Sequence, residues 1–551
     1  MPRTTESGRV VHALRTLCTA LFALSSGSVL WLVVAGSYDL WLGPVHLAAH
    51  GLFKPLLEFN GLLLLLWAVA PAAAASLPPN GRTCSERTTF FVIVGIVVLL
   101  YGPSMGINVV YPDWTHRDIS ASIRSMRDVV HLFYERQADG FYRPLTYISL
   151  LTDYRLFHGT LWAYHLQSIG LHILNAWLLV RLAAALGFGA PAARWAGWLY
   201  AAAAVNFEVL LWPAARFDLL ATAFTLAALL FALRYLRSPG RWHPSLAATT
   251  ALYLLGLCNK ESAYCFPLIL GALVATGRWW RIGAVSKPKL LALGGCVAAV
   301  TVGMVALRIA VYGNLGGYPR SIAPQSPHFT LTARTFPVLV ERIFPVPLFG
   351  VNSSAGLTGW LKVATLLFVL GALLAYARSR EGVLPAERRL LLFAFLGGLP
   401  VLNIVGWIGP SMQQARYVYL PSIWIFLMVA AILQRHRQSW ILTVLLLANV
   451  LGVESNLSVY RRMLGEAQQM AAAVGKDCRS RGNIQEVDIA GMPSAPYGVA
   501  FFDSELIADL QRSVPAARVV RWDSIQADSR PGQRVYRWDS SHRWGALVAV
   551  R

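Results

Sequence analysis

The sequence predicts an all-α polytopic membrane protein with a small C-terminal α/β domain outside the bilayer. Three observations predict it. Of 551 residues, 56% are hydrophobic and 14% charged, with a mean hydropathy of +0.51, which leaves too little polar surface for a soluble chain of this length. Apolar runs of about 20 residues, the length a helix needs to cross a bilayer, recur along most of the chain. After residue 456 the composition returns to that of an ordinary soluble segment.

Taken in order, about thirteen spans are expected, near 18–36, 55–76, 89–107, 162–183, 195–212, 217–236, 244–259, 262–277, 290–312, 358–377, 390–409, 417–434 and 440–456. The first follows a basic flank, MPRTTESGRVV, as a signal peptide would. Its apolar run is long for one and no small-x-small cleavage site follows, so it reads as a retained span. Basic residues in the short loops set the orientation. Arg3, Arg9 and Arg15 precede the first span, and Arg82, Arg87, Arg181, Arg194, Arg234, Arg237, Arg241, Arg278, Arg281, Lys287, Lys289, Arg378, Arg380, Arg388, Arg389, Arg435 and Arg437 all alternate onto that same side. That side is the expected cytoplasmic one, which puts the N-terminus in the cytoplasm. Opposite it lie a loop at 108–146, a Gly- and Pro-rich segment at 313–357 and the tail. The expected division is an N-terminal pair of spans with its loop over 1–88, a transmembrane core over 89–456 and an extracytoplasmic domain over 457–551. In the tail a helix is expected over 457–474, then strand-like runs IQEVDIA and ARVVRW around a helix near 503–512.

The formal charge of +21 sits in loops rather than in a basic stripe. It points to membrane orientation and anionic lipid head groups, not to nucleic acid. The six cysteines lack metal-type spacing and read as small hydrophobes in or beside spans.

Ionisable groups are costly in hydrocarbon and mark functional sites by default. In this chain they collect on the external side. The loop 108–146 holds Asp113, His116, Asp118, Asp128, Glu135 and Asp139 beside Arg117, Arg124, Arg127, Arg136 and Arg143. Three further external turns carry Glu208, Arg216 and Asp218; Lys260 and Glu261; and Gln413, Gln414, Arg416 and Tyr417. His165 and His172, seven apart, share one helix face with Asn175 close by. Taken singly, Arg216 with Asp218 or Lys260 with Glu261 could be interfacial anchors or inter-helix salt bridges. Their gathering on one face suits an enzyme acting on a lipid head group, whereas a transporter more often buries such groups near mid-membrane in repeat-related helices.

These stretches resemble the GT-C superfamily of polyprenyl-phosphate-sugar glycosyltransferases, in particular the protein O-mannosyltransferase (family 39) type and the transmembrane O-mannosyltransferases that carry TPR repeats. Five motifs in order carry the resemblance: FYRPLTYISLLTDYRLF, AYHLQSIGLHILNAWLLV, EVLLWPAARFDLLATAF, NKESAYCFPLIL and QARYVYLPSIWIF. It covers roughly 100–450. The TPR repeats are absent, the family's Asp-Asp pair is Asp113–Trp114 here, and the Glu before the RY pair is Gln414.

The resemblance implies transfer of a sugar from a polyprenyl-phosphate donor, with inversion, to an acceptor glycan, lipid or protein on the periplasmic face of a bacterial inner membrane. It implies Asp113 as general base or metal ligand and Arg416 as the foremost group for the donor phosphate, with Arg143, Arg216 and Lys260 behind it. Asp118, His165, Glu208, Asp218, Glu261 and Tyr417 stand as supporting residues. A divalent metal, magnesium or manganese, is compatible with this chemistry, but no HExxH or Cys cluster compels one. Two other classes compete: a lipid or glycan flippase, and a non-catalytic membrane scaffold. They are separated from the enzyme by whether Asp113, Arg143, Lys260 and Arg416 converge on one external cavity.

Overall fold

The structure, a computed structural model, describes residues 38–42, 45–49, 86–106, 123, 125–137, 140–157, 161–238, 243–276, 285–313, 345–350, 385–401, 415–482, 484–492, 502–522, 533–541 and 545–550. Among these residues, six helices are long and apolar enough to cross a membrane. The spans expected at 18–36, 55–76 and 358–377 lie outside the described residues, as do Asp113, Asp118 and most of 313–357. A short antiparallel hairpin, β1 (Tyr38–Leu42) and β2 (Val45–Ala49), falls between the first two expected spans.

The helical part is built from α1 (Glu86–Tyr101), α2 (Met126–His131), α3 (Pro144–Phe157), α4 (Leu161–Ala185), α5 (Ala190–Ala202), α6 (Phe207–Leu211), α7 (Arg216–Arg237), α8 (Pro244–Leu257), α9 (Cys265–Ala275), α10 (Lys287–Tyr312), α11 (Pro345–Phe349), α12 (Pro385–Gly398), α13 (Tyr419–Arg435) and α14 (Ser439–Arg481). Helix α7 packs on α4 and α8, and α5 packs on α4 and α13. Their shared apolar core holds Tyr101, Tyr200, Phe217 and Trp424 fully buried. Small residues let these helices approach closely. A Cβ on Gly197 of α5 would lie 2.4 Å from Val180 of α4.

Three helical elements differ from the expected ones; one is α14, a single helix where a span over 440–456 and a separate helix over 457–474 are expected. Helix α3 starts at Pro144, inside the YRPL motif, where proline's missing N–H and fixed φ suit the first helical position. The expected span 195–212 is not one helix. It breaks at Ala203, whose backbone is extended, into a 3₁₀ turn at Ala204–Asn206, then α6, then a second turn at Pro213–Ala215. Backbone polar groups freed at such depth need partners, and side chains from distant helices supply them. Tyr101 Oη donates to the Ala203 carbonyl at 2.7 Å, the Ala204 N–H donates to Asn449 Oδ1 at 2.9 Å, and Asn456 Nδ2 donates to the Ala204 carbonyl at 3.3 Å. Asn449 and Asn456 lie seven apart on α14, so both reach the same side. Their amides also donate to the Leu348 and Gly350 carbonyls at 3.2 and 3.0 Å, which ties α11 to the break.

Helix α14 is 43 residues long. At 1.5 Å per residue it reaches about 64 Å, roughly twice the hydrocarbon thickness, so it carries the chain well beyond the bilayer. There a four-stranded sheet forms in the order β4 (Arg518–Trp522), β3 (Glu486–Ala490), β5 (Gln533–Asp539), β6 (Ala546–Ala549). Strand β3 is parallel to both neighbours, β6 is antiparallel to β5, and α15 (Phe502–Ser513) makes the crossover from β3 to β4. Asp477 near the end of α14 anchors the sheet: it accepts from Arg534 Nε at 2.9 Å and Tyr536 Oη at 2.7 Å on β5.

Removing the Asn449 side chain leaves the Ala204 N–H buried without its acceptor, at a cost of about 1–3 kcal/mol. Asn449→Ala is expected to lower the melting temperature of the purified protein. An unchanged melting temperature would mean that packing alone holds the break.

Candidate functional site

The break in the 195–212 segment delivers the first residues of the site. The turn at Pro213–Ala215 starts α7 abruptly, and the first turn of that helix carries Arg216, Phe217 and Asp218. Successive helical residues point about 100° apart, so Arg216 and Asp218 face different neighbours. Arg216 turns toward α3, where its Nη1 lies 2.6 Å from Asp153 Oδ2, and it also donates to Ser149 Oγ at 3.1 Å and to the Tyr164 carbonyl at 2.9 Å. Asp218 turns the other way and accepts from Lys260 Nζ at 2.5 Å. Glu261, next to Lys260, is instead paired with Arg308 of α10 at 2.7 Å. The pairs suggested by adjacency in the sequence, Arg216–Asp218 and Lys260–Glu261, are therefore each exchanged for a longer-range partner.

Arg416 enters from the 3₁₀ turn at Ala415–Val418. Both oxygens of Glu208 hold it: Oε1 accepts from Nη1 at 2.6 Å and Oε2 from the backbone N–H at 3.0 Å. Arg143 enters from the start of α3, and its guanidinium stacks on Phe217 at 3.8 Å and Phe141 at 4.1 Å. Lys260 also lies over Phe217, at 4.8 Å, and over Tyr417 at 4.6 Å, while Arg416 lies over Tyr417 at 4.8 Å and Trp212 at 4.6 Å. Two aromatic rings thus bring Arg143, Lys260 and Arg416 into one group with the carboxylates Asp218 and Glu208. All five ionisable residues are buried.

This group holds three cations and two carboxylates. Lys260 and Arg416 have the carboxylates, so the excess charge falls on Arg143, which is 7% exposed. Among the described residues no carboxylate pairs with Arg143, and its Nε is buried with no hydrogen-bond partner. Cation–π contact recovers about 1–2 kcal/mol. Burying an unpaired charge costs several. Such a side chain suits an anion that arrives from outside the protein.

Behind the group, His172 Nε2 lies 3.3 Å from the Ala201 carbonyl and Nδ1 lies 2.8 Å from Tyr419 Oη. A carbonyl only accepts, so Nε2 carries the proton and Nδ1 accepts from the tyrosine. Asn175 Nδ2 donates to the same tyrosine oxygen at 3.1 Å and to the Leu219 carbonyl at 3.0 Å. This network fixes the first turn of α7 to α4 and α13. His165, expected as a supporting residue, has Nδ1 3.2 Å from the Leu210 carbonyl and braces α6.

The structure thus gathers Arg143, Glu208, Asp218, Lys260, Arg416 and Tyr417, and sets Arg216 and Glu261 in flanking ion pairs. Asp113 and Asp118 lie outside the described residues. Asp153, Arg308 and Phe217 were not singled out in the sequence. Arg308 is a lone charge in the apolar run 290–312, a signal that does mark an intramembrane partner; Asp153 has Arg155 two residues away, and a buried phenylalanine gives no such signal. Among the described residues no three of His, Cys, Asp or Glu gather to hold a metal ion. Glu208 and Asp218 are committed to cations, so these residues do not fit a metal between them.

No family model matches the chain, and no curated protein matches it. Two solved structures do: ArnT from Cupriavidus metallidurans bound to undecaprenyl phosphate, and the same protein in the apo state. The first is 15% identical over 81% of this chain and 92% of its own, and the second 16% identical over 82% and 93%, each with a TM-score of 0.41.

Arg216 and Asp153 form a fully buried pair. Breaking it from one side, as in Asp153→Ala, strands a buried cation at a cost of about 3–5 kcal/mol. The apolar double change Asp153→Leu with Arg216→Met is expected to recover most of the lost melting temperature. Failure of the double variant to recover would show that the pair is more than a structural brace.

Proposed function

We propose that the protein is a membrane glycosyltransferase that takes a sugar from a polyprenyl-phosphate donor. The observation that carries this reading is Arg143, a buried guanidinium with no carboxylate partner among the described residues, set beside Lys260 and Arg416. An excess of buried positive charge at the end of a membrane helix fits a phosphate that approaches along the bilayer surface with its prenyl chain in the hydrocarbon. The N-terminal, positive end of the α7 dipole lies at the turn that carries Phe217 and Asp218 and adds to the positive potential. The sequence order gives further support, because residues from four of the five resembling motifs contribute to one group: Arg143, Glu208 with Asp218, Lys260, and Arg416 with Tyr417. The fifth supplies the His172 and Asn175 network behind it.

In this reading the acceptor oxygen attacks the anomeric carbon from the face opposite the phosphate. The carbon–oxygen bond to the phosphate breaks as the new glycosidic bond forms, and the configuration inverts. The cations stabilise charge building on the departing phosphate. Lys260 and Arg416 are held at fixed positions by Asp218 and Glu208, so little reorganisation is needed as that charge develops. A carboxylate takes the acceptor proton, and Asp113, in the external loop expected at 108–146, is the residue we assign to this step. The acceptor is a glycan, lipid or protein, the active face is the external one, and the membrane is the bacterial inner membrane with the N-terminus in the cytoplasm.

The test is transfer of radiolabelled sugar from polyprenyl-phosphate donors by the purified protein. Arg143→Gln is expected to lower turnover about a hundredfold, and Arg143→Lys to restore part of it. Asp113→Asn is expected to abolish transfer while donor binding persists. Equal transfer by wild type and Arg143→Gln would overturn the assignment. Absence of transfer from every such donor, with a folded protein, would favour a flippase.

A further inference from the structure

The opposite end of α7 carries a second concentration of positive charge. Its 22 residues place Arg234 about 25 Å and Arg237 about 29 Å from the Phe217–Asp218 turn, close to one hydrocarbon thickness. There a cavity of about 410 Å³ opens among Ala185 at the end of α4, Leu230, Leu233, Arg234 and Arg237 of α7, and His243 before α8. Among the described residues its lining contains no acidic one. Arg237 Nη2 donates to the Ala185 carbonyl at 2.6 Å, which closes the end of α4 and leaves the charge at the rim. Lys289 Nζ donates to the Ser238 carbonyl at 2.5 Å and adds a further cation behind the wall. The Arg234 guanidinium, exposed at the rim, forms no ion pair among the described residues. Membrane orientation accounts for arginines at this end of the helices. It does not account for a cavity with leucines on its inner wall and arginines at its mouth.

We infer that this cavity binds one anionic phospholipid from the leaflet opposite the transfer site. The phosphate sits between Arg234 and Arg237, and the upper part of an acyl chain lies along Leu230 and Leu233. The apolar wall below a cationic rim matches the order of groups in a glycerophospholipid, and basic pockets between transmembrane helices are a known setting for such head groups. A soluble phosphate compound would use the rim and leave the leucine wall unfilled. The inference is independent of the proposed transferase activity.

The experiment counts lipid bound to the full-length protein by native mass spectrometry, in a mild detergent titrated with phosphatidylglycerol or with phosphatidylcholine. The wild type is expected to hold one phosphatidylglycerol in preference to phosphatidylcholine. Arg234→Glu should weaken phosphatidylglycerol binding about fivefold or more and leave phosphatidylcholine unchanged. Arg435→Gln, at the same end of α13 but outside the cavity, should leave both unchanged. Because Arg234 is exposed, its variant is expected to keep the wild-type melting temperature, which is measured alongside. Equal loss in the Arg234 and Arg435 variants would reduce the effect to general surface charge and overturn the site. Displacement of the lipid by inorganic phosphate or glycerol phosphate would assign the cavity to a soluble ligand, which also overturns it.

Discussion

The site depends on two short ion pairs in a nearly dry setting. Lys260 on Asp218 and Arg416 on Glu208 bind the turn after α8 and the turn before α13 to the α6–α7 break. Each pair alone would be a weak argument for stability, since desolvation offsets much of the attraction. Their effect is positional. Two cations are pinned by carboxylates on one side and by the Phe217 and Tyr417 rings on the other, and a third, Arg143, stacks on the same Phe217 with no carboxylate partner among the described residues.

That arrangement requires irregular backbone within an apolar chain. The polyalanine run before Asn206 cannot stay helical and also place Glu208 and Asp218 against turns from elsewhere. The break at Ala203 solves the geometry, and Tyr101, Asn449 and Asn456 satisfy the backbone groups it frees. The long helix α14 therefore has two functions. Its apolar half stabilises the break, and its polar half extends away from the bilayer to the sheet fixed through Asp477.

Much of the site was legible because charged residues are conspicuous in an apolar sequence. Arg143, Glu208, Asp218, Lys260 and Arg416 stand out for that reason. Their pairing was not legible. Neighbours in sequence, such as Lys260 and Glu261, point in different directions, and only the packing of α7, α8 and α10 decides that one meets Asp218 and the other Arg308. Asp153 lies between the 108–146 loop and the span expected at 162–183, and Arg308 near the end of the span expected at 290–312, so neither was given a partner. The break at Ala203 was equally hidden, since alanine favours helix more than any other residue and the partners that stabilise the break are far off in sequence. Among the described residues, α7, α10 and α13 follow the expected apolar runs. The strand-forming runs of the tail, IQEVDIA and ARVVRW, contain β3 and β4, but the unbroken 43-residue α14 that carries them was read as a span and a separate helix.

The central claim is that Arg143 is kept unpaired in order to meet a lipid-borne phosphate. The most direct measurement is the melting temperature of the purified protein with saturating polyprenyl phosphate and with the uncharged polyprenol. A ligand bound only by the folded state stabilises it in proportion to its affinity. The phosphate should raise the melting temperature of the wild type, the alcohol should not, and the difference should vanish in Arg143→Gln. Equal stabilisation of wild type by both lipids, or a phosphate effect undiminished without Arg143, would contradict the claim.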